Sequence, residues 1–202
     1  MFIIGVAGGS GSGKTTLVNA ILEKVPYDKI ALLAQDSYYK DSSHLPMEQR
    51  QALNFDHPDS IEWDLMLSDI QKLKNGNVIE SPTYSYLTCT RQEETIHVAP
   101  KEILIVEGIL IFTHLALCKE MDMRIYLEVE PDKRLTRIIE RDMESRGRTA
   151  QEVIKRYYKT VRPMYEEFIK PSRERADMLV MNGGLNHEAA DFIASSILGK
   201  LK

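Results

Sequence analysis

The chain has 202 residues, 43 % of them hydrophobic and 28 % charged, which suits one soluble α/β domain large enough to bury most of the surface its unfolded form would expose. A net charge of −4 argues against a general nucleic-acid binder, and no apolar stretch approaches the roughly eighteen residues that a membrane span needs. Two cysteines, Cys89 and Cys118, lie far apart without C-x-x-C spacing, a pattern that fits a reducing compartment, gives no support to a zinc site or disulfide framework, and leaves oxygen ligands for any metal.

In chain order, the apolar run 2–7 reads as a first strand; it is entered without a basic segment or a small-residue cleavage site, so a cytoplasmic location is expected. Similar short runs follow at 30–34, 103–106, 125–129 and 178–181. Helical spacing of apolar positions predicts helices over 14–24, 61–74, 131–146, 150–159 and 187–201, with Pro131 in a first turn, where proline is tolerated. This alternation predicts an α/β fold: a five-stranded parallel sheet with helices on both faces. The stretch 78–98 breaks the rhythm with two β-prone pieces, 79–84 and 95–98, and predicts a small β-hairpin insert. One domain over 1–202 is expected, with this insert as an arm and a helical lid over 131–160.

The run Gly8-Gly9-Ser10-Gly11-Ser12-Gly13-Lys14-Thr15, followed by Thr16, sits between the first strand and the first helix and matches G-x-x-x-x-G-K-[ST], the phosphate-binding loop of the P-loop NTPase fold. Its glycines let the backbone turn N–H groups toward a phosphate, and the positive end of the following helix adds to the attraction. Lys14 is placed to reach β- and γ-phosphates, and Thr15 to give its hydroxyl to Mg²⁺. The strand 103–106 leads into Glu107-Gly108 at the carboxyl edge of the sheet, which makes Glu107 a second candidate for the Mg²⁺ site. Asp36 follows the second strand onto the same edge, where an aspartate could orient an acceptor hydroxyl, take its proton and lie beside the metal. Arg134, Arg137 and Arg141 share a helical face, and Arg146 and Arg148 follow at the helix end; the group reads as a lid, with Arg141, Arg146 and Arg148 as the candidates to neutralise a phosphoryl in flight. Arg134 is expected on a solvated face, and Trp63, Tyr157 and Tyr158 are expected to pack.

Taken with Asp36-Ser37-Tyr38-Tyr39-Lys40, Asn54-Phe55-Asp56-His57-Pro58-Asp59, Glu107-Gly108-Ile109-Leu110, Arg141-Asp142 and Arg146-Gly147-Arg148, the sequence resembles the uridine kinase (uridine–cytidine kinase) family of P-loop kinases over nearly its whole length. The resemblance implies transfer of the ATP (or GTP) γ-phosphate, with Mg²⁺, to the 5′-hydroxyl of a pyrimidine ribonucleoside in pyrimidine salvage. It further implies Asp36 as base, Asp56 on the ribose hydroxyls, and Tyr84 at the nucleobase, with Tyr39, Phe55, Cys89, Arg91, Arg148 and Arg156 in the substrate-binding set. It also implies a homo-oligomer, a tetramer, whose partner is a small-molecule nucleoside and neither nucleic acid nor membrane.

Two positions depart from the family pattern. Cys89 stands where a histidine reads the pyrimidine edge, and Arg156 where a glutamine faces the base. These changes keep open a kinase for another hydroxylated metabolite, as in the related phosphoribulokinase and pantothenate kinase groups. A nucleotide-dependent switch without catalysis is a third alternative, disfavoured because the guanine-reading N-K-x-D pattern is absent.

Overall fold

In the computed structural model, which describes residues 1–201, the alternation read from the sequence becomes β1 (Phe2–Gly8), α1 (Lys14–Leu22), β2 (Ile30–Ala34), α2 (Met47–Ala52), α3 (Trp63–Lys74), β3 (Ile79–Ser85), β4 (Thr90–Val98), β5 (Ile103–Gly108), α4 (Leu115–Glu120) and β6 (Met123–Glu128). The second half adds α5 (Pro131–Ser145), α6 (Ala150–Arg156), α7 (Arg162–Met164), α8 (Lys170–Ser172), β7 (Met178–Met181) and α9 (His187–Lys200). The sheet has five parallel strands in the order β2-β5-β1-β6-β7.

Side-chain alternation divides the core between the two faces of that sheet. Ile3 and Ala7 of β1 join Leu33, Leu104 and Val106 on one face, covered by Met66, Ile70 and Leu73 of α3. Ile4 and Val6 join Ile30, Ile103 and Ile105 on the other, covered by Leu17, Val18 and Ile21 of α1 and by Ile193 and Ile197 of α9. The three- and four-residue steps along each helix keep its apolar side chains on one stripe. β1 and β5 are buried nearly throughout, as central strands of a parallel sheet must be.

β3 and β4 form a separate antiparallel hairpin, where 79–84 and 95–98 were expected to be β-prone; β4 starts earlier, at Thr90, because the pairing continues through Tyr84↔Arg91 past a bulge. After α6 the chain stays helical but widens into π turns at Tyr157–Val161 and Tyr165–Ile169. Pro163 and Pro171 lie just beyond these turns, and each removes one N–H donor from the helical ladder. The helix expected over 150–159 is therefore α-helical only to Arg156. No described helix is long and apolar enough to cross a membrane.

Candidate active site

Register places three strand ends side by side. Val6 of β1 and Ala34 of β2 both lie beside Glu107 of β5, so the loop after Gly8, the turn after Ala34 and the Glu107 carboxylate share one edge of the sheet. Gln35 fixes the turn: its buried side-chain oxygen accepts from Leu110 N at 2.6 Å, and Gly108 is bare because a β-carbon there would collide with the Gln35 side chain. Asp36 is thereby held at the mouth of the sheet, in a short 3₁₀ turn.

The loop wraps Lys14 back on itself, its ammonium donating to Gly8 O at 3.1 Å and Gly9 O at 3.3 Å. The residue as a whole keeps some exposed surface, yet its ammonium is enclosed, and burial pushes its pKa down to about 8 against the opposing pull of Glu107 and Asp36. The Thr15 hydroxyl donates to Glu107 at 3.0 Å, while burial raises the Glu107 carboxyl and Lys14 lowers it. Thr15 and Glu107 are hard oxygen donors, and together they could hold a magnesium ion with nucleotide phosphates at Lys14. Gly11 and Gly13 take φ of +77° and +85°, which side-chain-bearing residues rarely adopt. Thr16 faces the turn after β7, its β-carbon 2.7 Å from where a Gly184 side chain would begin.

A cavity of about 580 Å³ opens over this edge, lined by Ser10, Lys14, Thr15, Asp36 and Glu107 on one side. Its opposite wall carries Tyr39, Phe55, Asp56, Tyr84, Cys89 and Arg156. Tyr39, Phe55 and Tyr84 form a triangle with ring centroids 5.0 to 6.0 Å apart, an apolar cup with tilted and edge-on contacts. Asp56 is only 3 % exposed; burial raises its carboxyl, and Arg156, 3.2 Å away, opposes that rise.

A third wall comes from the end of α5 and the residues that follow it, which carry Arg141, Arg146 and Arg148. Asp142 of α5, 0 % exposed, has Arg141 at 2.7 Å, Arg148 at 2.9 Å, Arg146 at 3.5 Å and Arg156 at 3.6 Å. Burial alone would raise its carboxyl, but Arg141, Arg146 and Arg148 outweigh burial and hold it below the usual carboxylate range. Arg146 also lies over the ring of Tyr86, 3.9 Å from its centroid, and the Tyr86 phenol donates to Asp36 at 2.5 Å. Burial and Asp36 raise the Tyr86 phenol, which keeps it a donor.

Ser10, Lys14, Thr15, Asp36, Glu107, Tyr39, Phe55, Asp56, Tyr84, Cys89, Arg141, Arg146, Arg148 and Arg156 thus meet in one cavity, whereas Gly8, Gly9, Gly11, Ser12, Gly13 and Thr16 shape the loop without lining it. Arg91 does not line it: β4 turns its side chain to Glu62, 2.7 Å away in an ion pair. Arg134 is a correction, since it is 1 % exposed where a solvated face was expected. It lies beneath the phosphate loop, donating to Val129 O at 3.1 Å and Ser10 O at 3.5 Å, with its guanidinium 3.8 Å over the Tyr165 ring. Tyr158 also departs from expectation, at 58 % exposure, whereas Tyr157 is buried and Trp63 stacks on His114. Sequence reasoning passed over Asp142 and Tyr86 as functional residues; an acid amid arginines in one helix was the available signal for the first, and an alternate position beside Tyr84 for the second.

Similarity extends beyond the site. The profile of the Phosphoribulokinase / Uridine kinase family matches residues 3–188. A uridine kinase of Staphylococcus epidermidis is 46 % identical over 195 residues, covering 96 % of this chain and 94 % of its own, and one from Bacillus cytotoxicus is 44 % identical over 96 % and 92 %. Among solved structures, a putative fructose transport system kinase from a Silicibacter species superposes with a TM-score of 0.69 at 20 % identity over 89 % of both chains. A possible uridine kinase from Bacillus stearothermophilus gives 0.53 at 16 %, over 88 % and 87 %; at such identities these two speak for the fold alone. With that fold, this phosphate loop and a match along almost its full length, the chain belongs to the phosphoribulokinase/uridine kinase family.

Proposed function

We propose that the protein transfers the γ-phosphoryl group of ATP–Mg²⁺ to the 5′-hydroxyl of uridine or cytidine, giving UMP or CMP in pyrimidine salvage. The observation that carries this reading is one cavity that brings Lys14, Thr15, Asp36 and Glu107 at the sheet edge together with Asp56 and the Tyr39–Phe55–Tyr84 cup. Relatives named uridine kinase at 44 to 46 % identity support the acceptor. In this reading the ribose diol donates to Asp56 and the pyrimidine sits in the aromatic cup. The 5′-hydroxyl then lies at Asp36, which takes its proton as the new O–P bond forms and the bond to the β–γ bridging oxygen breaks, leaving ADP. Thr15 and Glu107, with Asp36 nearby, would hold Mg²⁺, whose charge offsets that of the phosphate oxygens. Arg141, Arg146 and Arg148 neutralise charge developing on the phosphoryl group and close the site to water.

Cys89 and Arg156 stand in the acceptor wall, and this placement is what favours a different hydroxylated metabolite as a second reading. Phosphoryl transfer from ATP–Mg²⁺ and GTP–Mg²⁺ to uridine, cytidine, deoxycytidine, adenosine, pantothenate and ribulose 5-phosphate, with product identification, separates the two. Transfer to uridine or cytidine and not to deoxycytidine is expected. Turnover of pantothenate or ribulose 5-phosphate alone would replace the acceptor and keep the phosphate site.

A further inference from the structure

Arg156 ends α6 and crosses from the lid to the acceptor wall. Its Nη2 lies 3.2 Å from Asp56 Oδ2 and its Nη1 3.6 Å from Asp142 Oδ2. The two carboxylates, 3 % and 0 % exposed, come from unrelated parts of the chain, one in the loop after α2 and one inside the lid helix. Asp142 in turn receives Arg148 on Oδ2 and Arg141 on Oδ1. A row of alternating charge, Asp56–Arg156–Asp142–Arg148, therefore runs from the acceptor pocket to the phosphoryl side of the cavity. A guanidinium suits this bridge because its planar fork presents separate nitrogens to the two carboxylates, whereas an ammonium has all its donors on one nitrogen.

Resting on the function proposed above, we propose that Arg156 is a positioning residue that makes filling of the diol site and placement of the lid arginines one event, so that an acceptor with an intact vicinal diol is turned over faster and not merely held more tightly. Two hydroxyl donors on Asp56 fix that carboxylate, Arg156 stays stretched to Asp142, and Asp142 keeps Arg141 and Arg148 aimed at the phosphoryl group. An acceptor lacking one hydroxyl leaves Asp56 short of a donor. Arg156 then shifts toward Asp56, its 3.6 Å contact with Asp142 is lost, and the lid arginines that share that carboxylate lose their register.

Steady-state kinetics with uridine and 2′-deoxyuridine test this on the wild type, Arg156→Met, Arg156→Lys, Asp142→Asn and the Asp142→Asn/Arg156→Met double variant. The wild type should discriminate between the two acceptors in kcat. Both Arg156 variants should lose about 10²-fold in kcat for uridine, the scale of a small misplacement of catalytic groups, with KM for ATP near the wild-type value and the acceptor discrimination in kcat gone. The double variant should be no worse than its poorer parent, because both changes break one link. If Arg156→Met leaves kcat intact and raises KM equally for both nucleosides, Arg156 is a local contact and the bridge is wrong. Losses that multiply in the double variant overturn it as well. Should Arg156→Met fail to fold by circular dichroism, Arg156→Lys answers the same question with the charge retained. Absence of uridine turnover by the wild type removes the proposed acceptor and the bridge with it, whereas turnover with independent losses removes the bridge alone.

Discussion

Gly183, in the turn after β7, is where the rest of the fold grips the phosphate loop, and its replacement by alanine measures that grip. Its φ of +63° is left-handed, which costs an L-residue roughly 1–2 kcal/mol. A β-carbon there would overlap the Ser12 carbonyl oxygen and lie 2.7 Å from Val129 Cγ2, where ordinary contact begins at 3.4 Å. Parting the two segments also breaks the hydrogen bond from Gly184 N to Ser12 O, now 3.1 Å, a loss of about 1 kcal/mol. Together these terms predict a destabilisation of about 2–3 kcal/mol and a Tm lowered by about 4–12 °C for a chain of this size. Ser12 is two residues before Lys14, so a shift of the loop on the order of 1 Å should also reduce turnover by about 10²-fold. Calorimetry and ATP-dependence of the rate are the assays, run beside Gly199→Ala. That position in α9 has open space around its β-carbon and should be neutral or gain about 0.5–1 kcal/mol. A Gly183→Ala protein with unchanged Tm and unchanged KM for ATP would refute the bracing argument.

Asp36→Asn should lower kcat by about 10²–10⁴-fold with ATP affinity preserved, measured by coupled assay and calorimetry; near-normal turnover would exclude Asp36 as the base. In the proposed function Lys14, whose pKa burial pushes down to about 8, would hold phosphate in its ammonium form. ATP affinity should therefore fall as pH rises through 8, with proton uptake on binding that titration in buffers of different ionisation enthalpy detects; a flat profile from pH 7 to about 9 contradicts this. Arg134→Met removes the bonds to Val129 O and Ser10 O and should cost about 1.5–3 kcal/mol in urea unfolding, with no effect expected if the side chain were solvated.

The sheet was legible because its strands are short apolar runs with helical spacing between them, and both signals act over a few residues. The phosphate loop was legible for the same reason, since its whole geometry is encoded in consecutive residues. Strand order explains why Asp36 and Glu107 could also be placed: any residue just past a parallel strand falls on the same edge. What stayed hidden depends on contacts between distant segments. Arg134 follows the spacing of its solvated neighbours, and only the turn of α5 under the loop, with Tyr165 beneath it, shows that it is buried. Arg91 and Arg156 looked alike as substrate contacts, but one is claimed by Glu62 and the other by Asp56 and Asp142. The π turns after Arg156 have no periodic signature, because an extra residue per turn merely shifts the apolar phase.

Arg134 has a consequence for how the protein responds to its surroundings. Its guanidinium is buried under the phosphate loop with carbonyls and a ring face as partners, and among the described residues no carboxylate is paired with it. A cation so placed is costly while the loop is empty, and a polyanion above it offsets that cost. The ligand-free protein is thus a charged capacitor plate awaiting its counterpart. Simple multivalent anions such as tripolyphosphate should raise its melting temperature even where no phosphoryl transfer is possible.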